Sequence, residues 1–506
     1  MQDRALEHIV IVGGGSAGWM TAAALSSLLS DSSTRITLVE SDAIGTVGVG
    51  EATIPDMINF NQMLGVDEAE FVAATDATFK LGIEFVDWGR KGERYFHPFG
   101  NHGVDMQGID FHQYWLAARA RGSDVPLEQY SMCAHAAYAG RFAHPARDPK
   151  SPLSHLRYAY HFDATRYAAF LRRYAERLGV ERVEGRVEDV VLDAESGRVT
   201  TLRLDDGREV AGDFFFDCTG FRALLMRGAL GTGFRDWTHW LPCNSAQTVA
   251  CAHSGPVPPY TRATARDAGW QWRIPTQART GNGHIYSDAH TSDQDAQDML
   301  MSTLDGAPLS EPRTLRFTTG CLERFWHRNV VGIGLSSGFL EPLESTSLYL
   351  IQTGISTFIT LMPDAAIPDV VVAEYNRRMR REFEQVRDFI ILHYHATQRD
   401  DTAFWRDCAA MDIPDSLSRK MALFEEAGRV FRDEDELFTR PSWVAVMSGQ
   451  NVLPRRVDPI AGHVPAERLE RSLASMRAGL SRAAQGLPAH ADYIQRFTGG
   501  RTRHVA

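Results

Sequence analysis

Lysine is almost missing from this 506-residue chain: of 53 basic residues only Lys80, Lys91, Lys150 and Lys420 are lysine, so 53 − 4 leaves 49 arginines. Against 64 acidic residues the balance is 53 − 64 = −11. A chain this acidic lacks the cationic surface that tracks phosphates, which argues against nucleic acid as a partner. Cysteine is sparse as well. The six (Cys133, Cys218, Cys243, Cys251, Cys321, Cys408) form no C-x-x-C pair and no zinc spacing, and read as reduced, buried thiols of a cytoplasmic protein. No apolar run approaches the ~20 residues of a spanning helix, so no membrane partner is expected. Asp3, Glu7 and three interrupting glycines make the N-terminus a strand and a loop rather than a signal peptide. Repeats and low-complexity segments are absent too.

What is present is ordinary for a globular protein: 44% apolar residues, 23% charged, and a length that suits one large unit or two interlocked domains. The β-branched run His8–Val12 leads into Gly13-Gly14-Gly15-Ser16-Ala17-Gly18. Ala17–Leu29 then reads as an Ala/Leu-rich helix and Ile36–Val39 as a buried strand ending at Glu40. Much later, Val187–Leu192 and Val199–Leu204 alternate about a Ser196-Gly197 turn, and Asp206-Gly207 continues the meander toward an apolar strand, Asp213–Asp217. This is the layout of a discontinuous nucleotide-binding domain with insertions. From about Ile367 the texture turns helical, with a long amphipathic helix expected over Glu374–His395. His393 and His395 leave such a helix on different sides and lack a third ligand, so no metal is expected.

Gly13, Gly15 and Gly18 make G-x-G-x-x-G between a strand and a helix, where backbone and the helix-start amides of Ser16 and Ala17 approach a pyrophosphate. Glu40 follows Gly18 by 22 residues, placed to accept from ribose hydroxyls. The motif alone does not choose between FAD and NAD. The interrupted layout, with the meander feeding Asp217-Cys218-Thr219-Gly220, favours FAD. No second unit of this kind appears: Gly332, Gly334 and Gly338 have the wrong spacing, and Gly231 and Gly233 lack a preceding strand. A bound flavin would therefore have no NAD(P)H domain of its own to reduce it.

Several segments together resemble the flavin-dependent tryptophan halogenase family. They are Gly13–Trp19, Gly48-Val49-Gly50-Glu51-Ala52-Thr53-Ile54-Pro55, Trp270-Gln271-Trp272-Arg273-Ile274-Pro275 and Phe339-Leu340-Glu341-Pro342-Leu343-Glu344-Ser345-Thr346-Ser347, with Lys80 in Phe79-Lys80-Leu81-Gly82. The third is the family's W-x-W-x-I-P signature, and the matches reach from residue 8 to at least His395. The resemblance implies an α/β fold: an FAD-binding Rossmann-like domain of the flavin monooxygenase type with a mostly helical, substrate-binding C-terminal region. Residues 1–366 are expected to hold the discontinuous FAD domain with inserted pocket segments, and 367–506 to complete the pocket. It also implies FAD, used as FADH2 from a separate NAD(P)H-dependent flavin reductase. FADH2 and O2 give a flavin hydroperoxide, chloride or bromide attacks its terminal oxygen, and hypohalous acid travels through a tunnel to an aromatic substrate. Whether the chain pairs as a homodimer is left open by the sequence.

Residue by residue, the resemblance makes Lys80 and Glu344 catalytic. Lys80 lies among Ala77, Phe79, Leu81 and Ile83, and where arginine is so common a lone lysine in apolar company marks a need for a compact amine. A hydrogen bond to hypohalous acid and a chloramine both use that amine. Glu344 is read either as a helix-start carboxylate or as the base that orients the oxidant or takes the ring proton. Gly50, Glu51, Ala52 and Thr53 join Gly13, Gly15, Ser16, Ala17, Gly18, Glu40 and Asp217 around the cofactor. Backbone amides of Thr346 and Ser347 are expected to cradle the halide, with serine standing where glycine is commoner. His97 and Phe99, an H-x-F pattern, and Ser345 line the substrate pocket. Trp270, Trp272, Ile274 and Pro275 serve as diagnostic residues that wall flavin from substrate, although tryptophans at that spacing equally suit a strand core.

One region departs from the pattern. Members acting on free tryptophan hold the amino-acid head group with paired tyrosines and a glutamate, and Phe431–Trp443 has no tyrosine pair. The expected substrate is therefore indole or another electron-rich indole-like arene, with Trp443 either a pocket aromatic or a core residue. A flavin-dependent aromatic hydroxylase and a non-catalytic flavin-binding protein are the alternatives. Lys91, Lys150 and Lys420 read as ordinary.

Overall fold

The β-branched residues Ile9–Val12 do form the central strand. In the computed structural model, which describes residues 5–44 and 50–499, β1 (His8–Val12) is followed by α1 (Ser16–Leu28) and β2 (Arg35–Glu40). β1 pairs in parallel with β2 on one side and with the Phe214–Asp217 strand on the other. Parallel neighbours Glu181–Glu184 and Val330–Gly332, and an antiparallel edge strand Trp326–His327, complete a six-stranded sheet. Both faces are covered, as a parallel sheet requires. Val10, Val12 and Phe215 pack with Val199, Leu202 and Leu204 of the three-stranded meander. Phe214 and Phe216 point the other way, each about one ring's reach from Phe358 of the Ser347–Thr360 helix, at 5.0 and 4.8 Å between centroids. The alternation of apolar residues on both faces is what the sequence run FFFD encodes.

The chain divides into two units. The first gathers residues up to Thr75, Phe162–His239 and Phe317–Glu384; the second gathers Asp76–His161, Trp240–Arg316 and the chain from Gln385. The division thus falls inside the long helix, which runs Asp369–His395, and not at the change of texture near Ile367.

A seven-stranded sheet organises the second unit. The Gly269–Pro275 strand, carrying the two tryptophans, lies between Thr261–Arg266 and Thr280–Tyr286. The last turns of the long helix cover the neighbouring Gly82–Val86 strand, with His393 stacked on Phe85 at 4.6 Å and donating to or accepting from the Tyr95 hydroxyl at 3.0 Å. His393 is thereby committed to packing. Helices dominate the described residues that follow, and among the described residues no helix is long and apolar enough to cross a membrane.

Candidate active site

The glycine loop of the first unit is built so tightly that only glycine fits. Gly13 has φ +106°, and a Cβ there would lie 2.3 Å from the Cys218 carbonyl oxygen; one on Gly18 would lie 1.8 Å from the Gly13 carbonyl oxygen. Backbone therefore packs on backbone, and the loop hands over to α1 at Gly15 with no side chain capping the helix among the described residues. The first-turn amides, which include those of Ser16, Ala17 and Gly18, are left to a ligand, the arrangement that binds a pyrophosphate. Glu40 closes the far side, its Oε2 under Gly14 and 3.4 Å from the Trp19 indole nitrogen, while Oε1 takes Arg182 at 2.5 Å. A carboxylate has roughly four acceptor positions, so ribose hydroxyls are still accommodated. On these grounds the residues present fit a dinucleotide such as FAD.

Asp217 does something more local. Its Oδ1 accepts from the Thr219 amide and hydroxyl, and its Oδ2 from the amides of Leu225 and Met226. Fully buried, with its carboxyl raised above the usual range chiefly by burial, it shapes the turn after its strand. Its carbonyl oxygen accepts from Ile333 N at 2.9 Å and from the Ser336 hydroxyl, drawing in the turn whose Gly334 packs on Ala17. Gly50 takes φ +79° ahead of Glu51-Ala52, and Thr53 is buried; Gly48 and Val49 lie outside the described residues. Burial pushes the Glu51 carboxyl up to about 7.

Glu344 is also in the first unit and is 1% exposed. It ends a 3-10 turn, Pro342–Glu344, and Ser345 follows at φ +61°, redirecting the chain into the Ser347–Thr360 helix. Glu344 thus precedes that helix by three residues and is not one of its first-turn residues. Thr346 is the cap residue, but its buried Oγ1 has no hydrogen-bond partner among the described residues. Helix-start amides without a side-chain cap suit a small anion.

Lys80 belongs to the second unit. It ends the Thr78–Lys80 strand, paired antiparallel with Ala159–Phe162 so that Thr78 faces His161 and Lys80 faces Ala159. The pleat sends Phe79 and Lys80 to opposite sides. Phe79 enters an aromatic cage, stacked 4.1 Å from Phe142, while the wholly buried Lys80 puts Nζ 5.0 Å from the centre of the Phe99 ring. Arginine and lysine are rarely buried this completely, so the position is an unusual one for a basic side chain. Its charge acts on His161, which burial first and Lys80 second hold well below the ordinary histidine range.

Sequence reading missed how this strand is held. The Thr78 hydroxyl donates to the Pro275 carbonyl at 2.7 Å and lies 3.0 Å from His161 Nδ1. With its one proton spent on Pro275, the hydroxyl accepts from His161 Nδ1–H, and His161 Nε2 accepts from the Thr261 hydroxyl at 2.9 Å. Just beyond Pro275, Thr276 and Ala278 bond the Asp76 carboxylate and Gln277 bonds the Ala77 carbonyl. The end of the W-x-W-x-I-P box therefore grips the approach to Lys80, a role no local signal announces. Within the box, Trp270 and Trp272 are buried with centroids 5.9 Å apart, Ile274 is buried, and Trp272 lies over Gly283, where any Cβ would strike its ring.

His97 is buried in the second unit, 5.8 Å from Phe389 and 6.5 Å from Phe438. Phe389 and Phe438 stack at 3.7 Å, and Trp443 meets Phe389 edge-on at 4.8 Å. Trp443 is anchored by its indole N–H to Glu436 at 2.9 Å, and Lys420 corrects its reading as an ordinary residue. Lys420 Nζ binds both Glu436 oxygens, at 2.6 and 2.9 Å, and sits 4.1 Å over the Trp443 ring. Glu436 is 1% exposed and Lys420 16%. Lys420→Met is expected to destabilise the protein by about 3 kcal/mol, because it strands a buried carboxylate. Denaturant unfolding checks this, and Lys420→Met/Glu436→Gln should recover most of the loss, since glutamine still accepts from Trp443.

With this geometry in hand, comparison with known proteins is direct. The sequence profile described as tryptophan halogenase matches residues 8–466. The tryptophan 6-halogenase ThaL of Streptomyces albogriseolus is 33% identical, across 98% of this chain and 99% of its own. Among solved structures, Xcc4156, a flavin-dependent halogenase from Xanthomonas campestris, superposes with a TM-score of 0.94 at 48% identity, covering 98% of this chain and 99% of that one. BrvH, a flavin-dependent halogenase from Brevundimonas sp. BAL3, does so with a TM-score of 0.94 at 46% identity, covering 97% and 99%.

Proposed function

Because the chain belongs to the tryptophan halogenase family of flavin-dependent enzymes, we propose that it halogenates an electron-rich aromatic, indole or an indole derivative, with Lys80 delivering the halogen. Gly13, Gly15, Ser16, Ala17, Gly18, Glu40 and the Gly50–Thr53 segment would hold FAD. Bound as FADH2, supplied by a separate NAD(P)H-dependent reductase, the cofactor provides the electrons with which O2 and chloride or bromide yield hypohalous acid. The observation that carries the reading is Lys80 itself: a wholly buried lysine against Phe99, in a chain where 49 of the 53 basic residues are arginine.

Lys80 serves by either of two routes. Its ammonium donates to the oxygen of hypohalous acid, so that the oxygen departs as water when the arene carbon takes the halogen. Alternatively the neutral amine takes the halogen, releasing water, and passes it to the arene. An amine is needed in both, and a guanidinium suits neither. Glu344 takes the ring proton from the cationic arene and restores aromaticity. Glu344→Gln is expected to lower kcat about a hundredfold with KM nearly unchanged, as for loss of a proton acceptor used only in the transition state; steady-state kinetics check it.

Substrate choice follows from the Phe431–Trp443 segment. Its buried carboxylate, Glu436, is committed to Lys420, the Trp443 indole and the Asp433 amide, so it offers nothing to a substrate ammonium. A neutral arene fits such a segment better than a zwitterion. The reading is tested by incubating the protein with a flavin reductase, NADH, FAD, bromide and a panel of indoles, phenols and free tryptophan. A bromine isotope pattern on indoles that requires bromide supports it. An added oxygen without halide would falsify it in favour of hydroxylation, and preference for free tryptophan contradicts the substrate assignment.

A further inference from the structure

Resting on the role of Lys80 proposed above, we infer that His490, near the C-terminus, is a positioning residue that fixes the peptide bearing this lysine. Residue 490 begins the His490–Phe497 helix, 411 residues from the strand it serves. Its Nε2 lies 3.1 Å from the Phe79 amide nitrogen and its Nδ1 lies 3.0 Å from the Val257 carbonyl oxygen. The first partner only donates and the second only accepts. One tautomer satisfies both: Nδ1–H donates to Val257, and bare Nε2 accepts from Phe79 N–H. A protonated ring would turn N–H against N–H, and burial, which holds His490 down at about 4, keeps the ring neutral.

Other residues of the same helix act on the same target. His490, Tyr493 and Phe497 fall on one helix face at i, i+3 and i+7. Their rings surround Phe79, with centroids at 6.3, 5.8 and 5.8 Å. Beyond Lys80, Leu81 N donates to the Pro259 carbonyl at 2.8 Å. The segment Val257–Thr261 thus holds Lys80 from both flanks, directly at Leu81 and through His490 at Phe79. Thr261 adds the bond to His161 described above. The backbone that carries Lys80 is thus held on both sides. An amine that must meet a small oxidant gains rate from such fixing, since an error of about 1 Å in placement can cost a hundredfold.

The scarcity of lysine provides the test. Protein labelled with 13C at lysine Cε gives four lysine signals, with that of Lys80 assigned by its loss in Lys80→Arg. In His490→Leu, the Phe79 amide and the Val257 carbonyl both lose their partner. The Lys80 signal is expected to move or split while those of Lys91, Lys150 and Lys420 stay, and kcat to fall about tenfold with KM for indole little changed. His490→Gln, whose amide carries both a donor and an acceptor, should restore signal and rate together. Tyr493→Phe, which keeps the Phe79 bond, should leave the Lys80 signal in place. If His490→Leu does not fold, His490→Asn replaces it, its amide being too short to reach both partners. An unmoved Lys80 signal in folded His490→Leu or His490→Asn overturns the inference. The signal reports position without turnover, so it can move even if Lys80→Ala proves fully active, which would refute only the catalytic role.

Discussion

Lys80→Ala is expected to lower substrate halogenation by about three orders of magnitude, within the range that a positioned proton donor or nucleophile contributes. Lys80→Arg should be equally inactive. The space is enclosed, Phe99 lies 5.0 Å from the ammonium, and the planar guanidinium neither fits the place of a compact amine nor gives up its proton. FAD affinity should be unchanged in both variants, because Lys80 is not one of the residues assigned to the cofactor. Product chromatography and flavin fluorescence titration measure the two quantities separately. A Lys80→Ala protein that keeps more than about a tenth of the wild-type rate is incompatible with the assigned role.

The second large effect is on cofactor binding. Gly13→Ala is expected to weaken FAD binding by at least about a hundredfold, since it places a side chain at a strained backbone conformation of 1–3 kcal/mol typical cost and also against the Cys218 carbonyl. Its φ of +106° and the 2.3 Å approach of a Cβ to that oxygen leave no relaxed alternative, because both neighbours are backbone. Gly207→Ala is the matched control. It too has positive φ, at +86°, yet nothing lies within 4 Å of its Cβ, so any strain stays in the meander turn. Fluorescence quenching of FAD reads both variants. Equal affinities for Gly13→Ala and wild type would remove the loop from the cofactor site.

How much of this was visible in the chain depends on how far apart the partners lie. β1, α1 and β2 were legible because strand, glycine turn and helix write their signals within about 30 residues, and the meander because its turns carry Ser-Gly and Asp-Gly. The burial of Lys80 was legible through its company of apolar residues, whereas its role rests on the family resemblance. Asp217 was placed correctly at the end of its strand, while its carboxylate turned out to serve its own turn. The sequence Asp217-Cys218-Thr219 carries that signal, since aspartate commonly bonds the backbone two residues on. Lys420 was misread because its partner, Glu436, is 16 residues away beyond a helix end, where spacing reveals no pairing. The grip of Pro275 on Thr78, across 197 residues, and of His490 on Phe79 are matters of tertiary structure alone.

Delivery by Lys80, as distinct from formation of the oxidant, is the centre of the account. One measurement addresses it: wild-type and Lys80→Arg proteins are given a flavin reductase, NADH, FAD, bromide and indole, with and without a soluble scavenger of hypobromous acid, and products are resolved by chromatography and mass. Wild type should give one bromoindole isomer whose yield the scavenger does not reduce. Lys80→Arg should consume NADH at a similar rate yet place its bromine on the scavenger, leaving indole unmodified. The same bromoindole isomer from Lys80→Arg, formed in the presence of scavenger, would contradict the account.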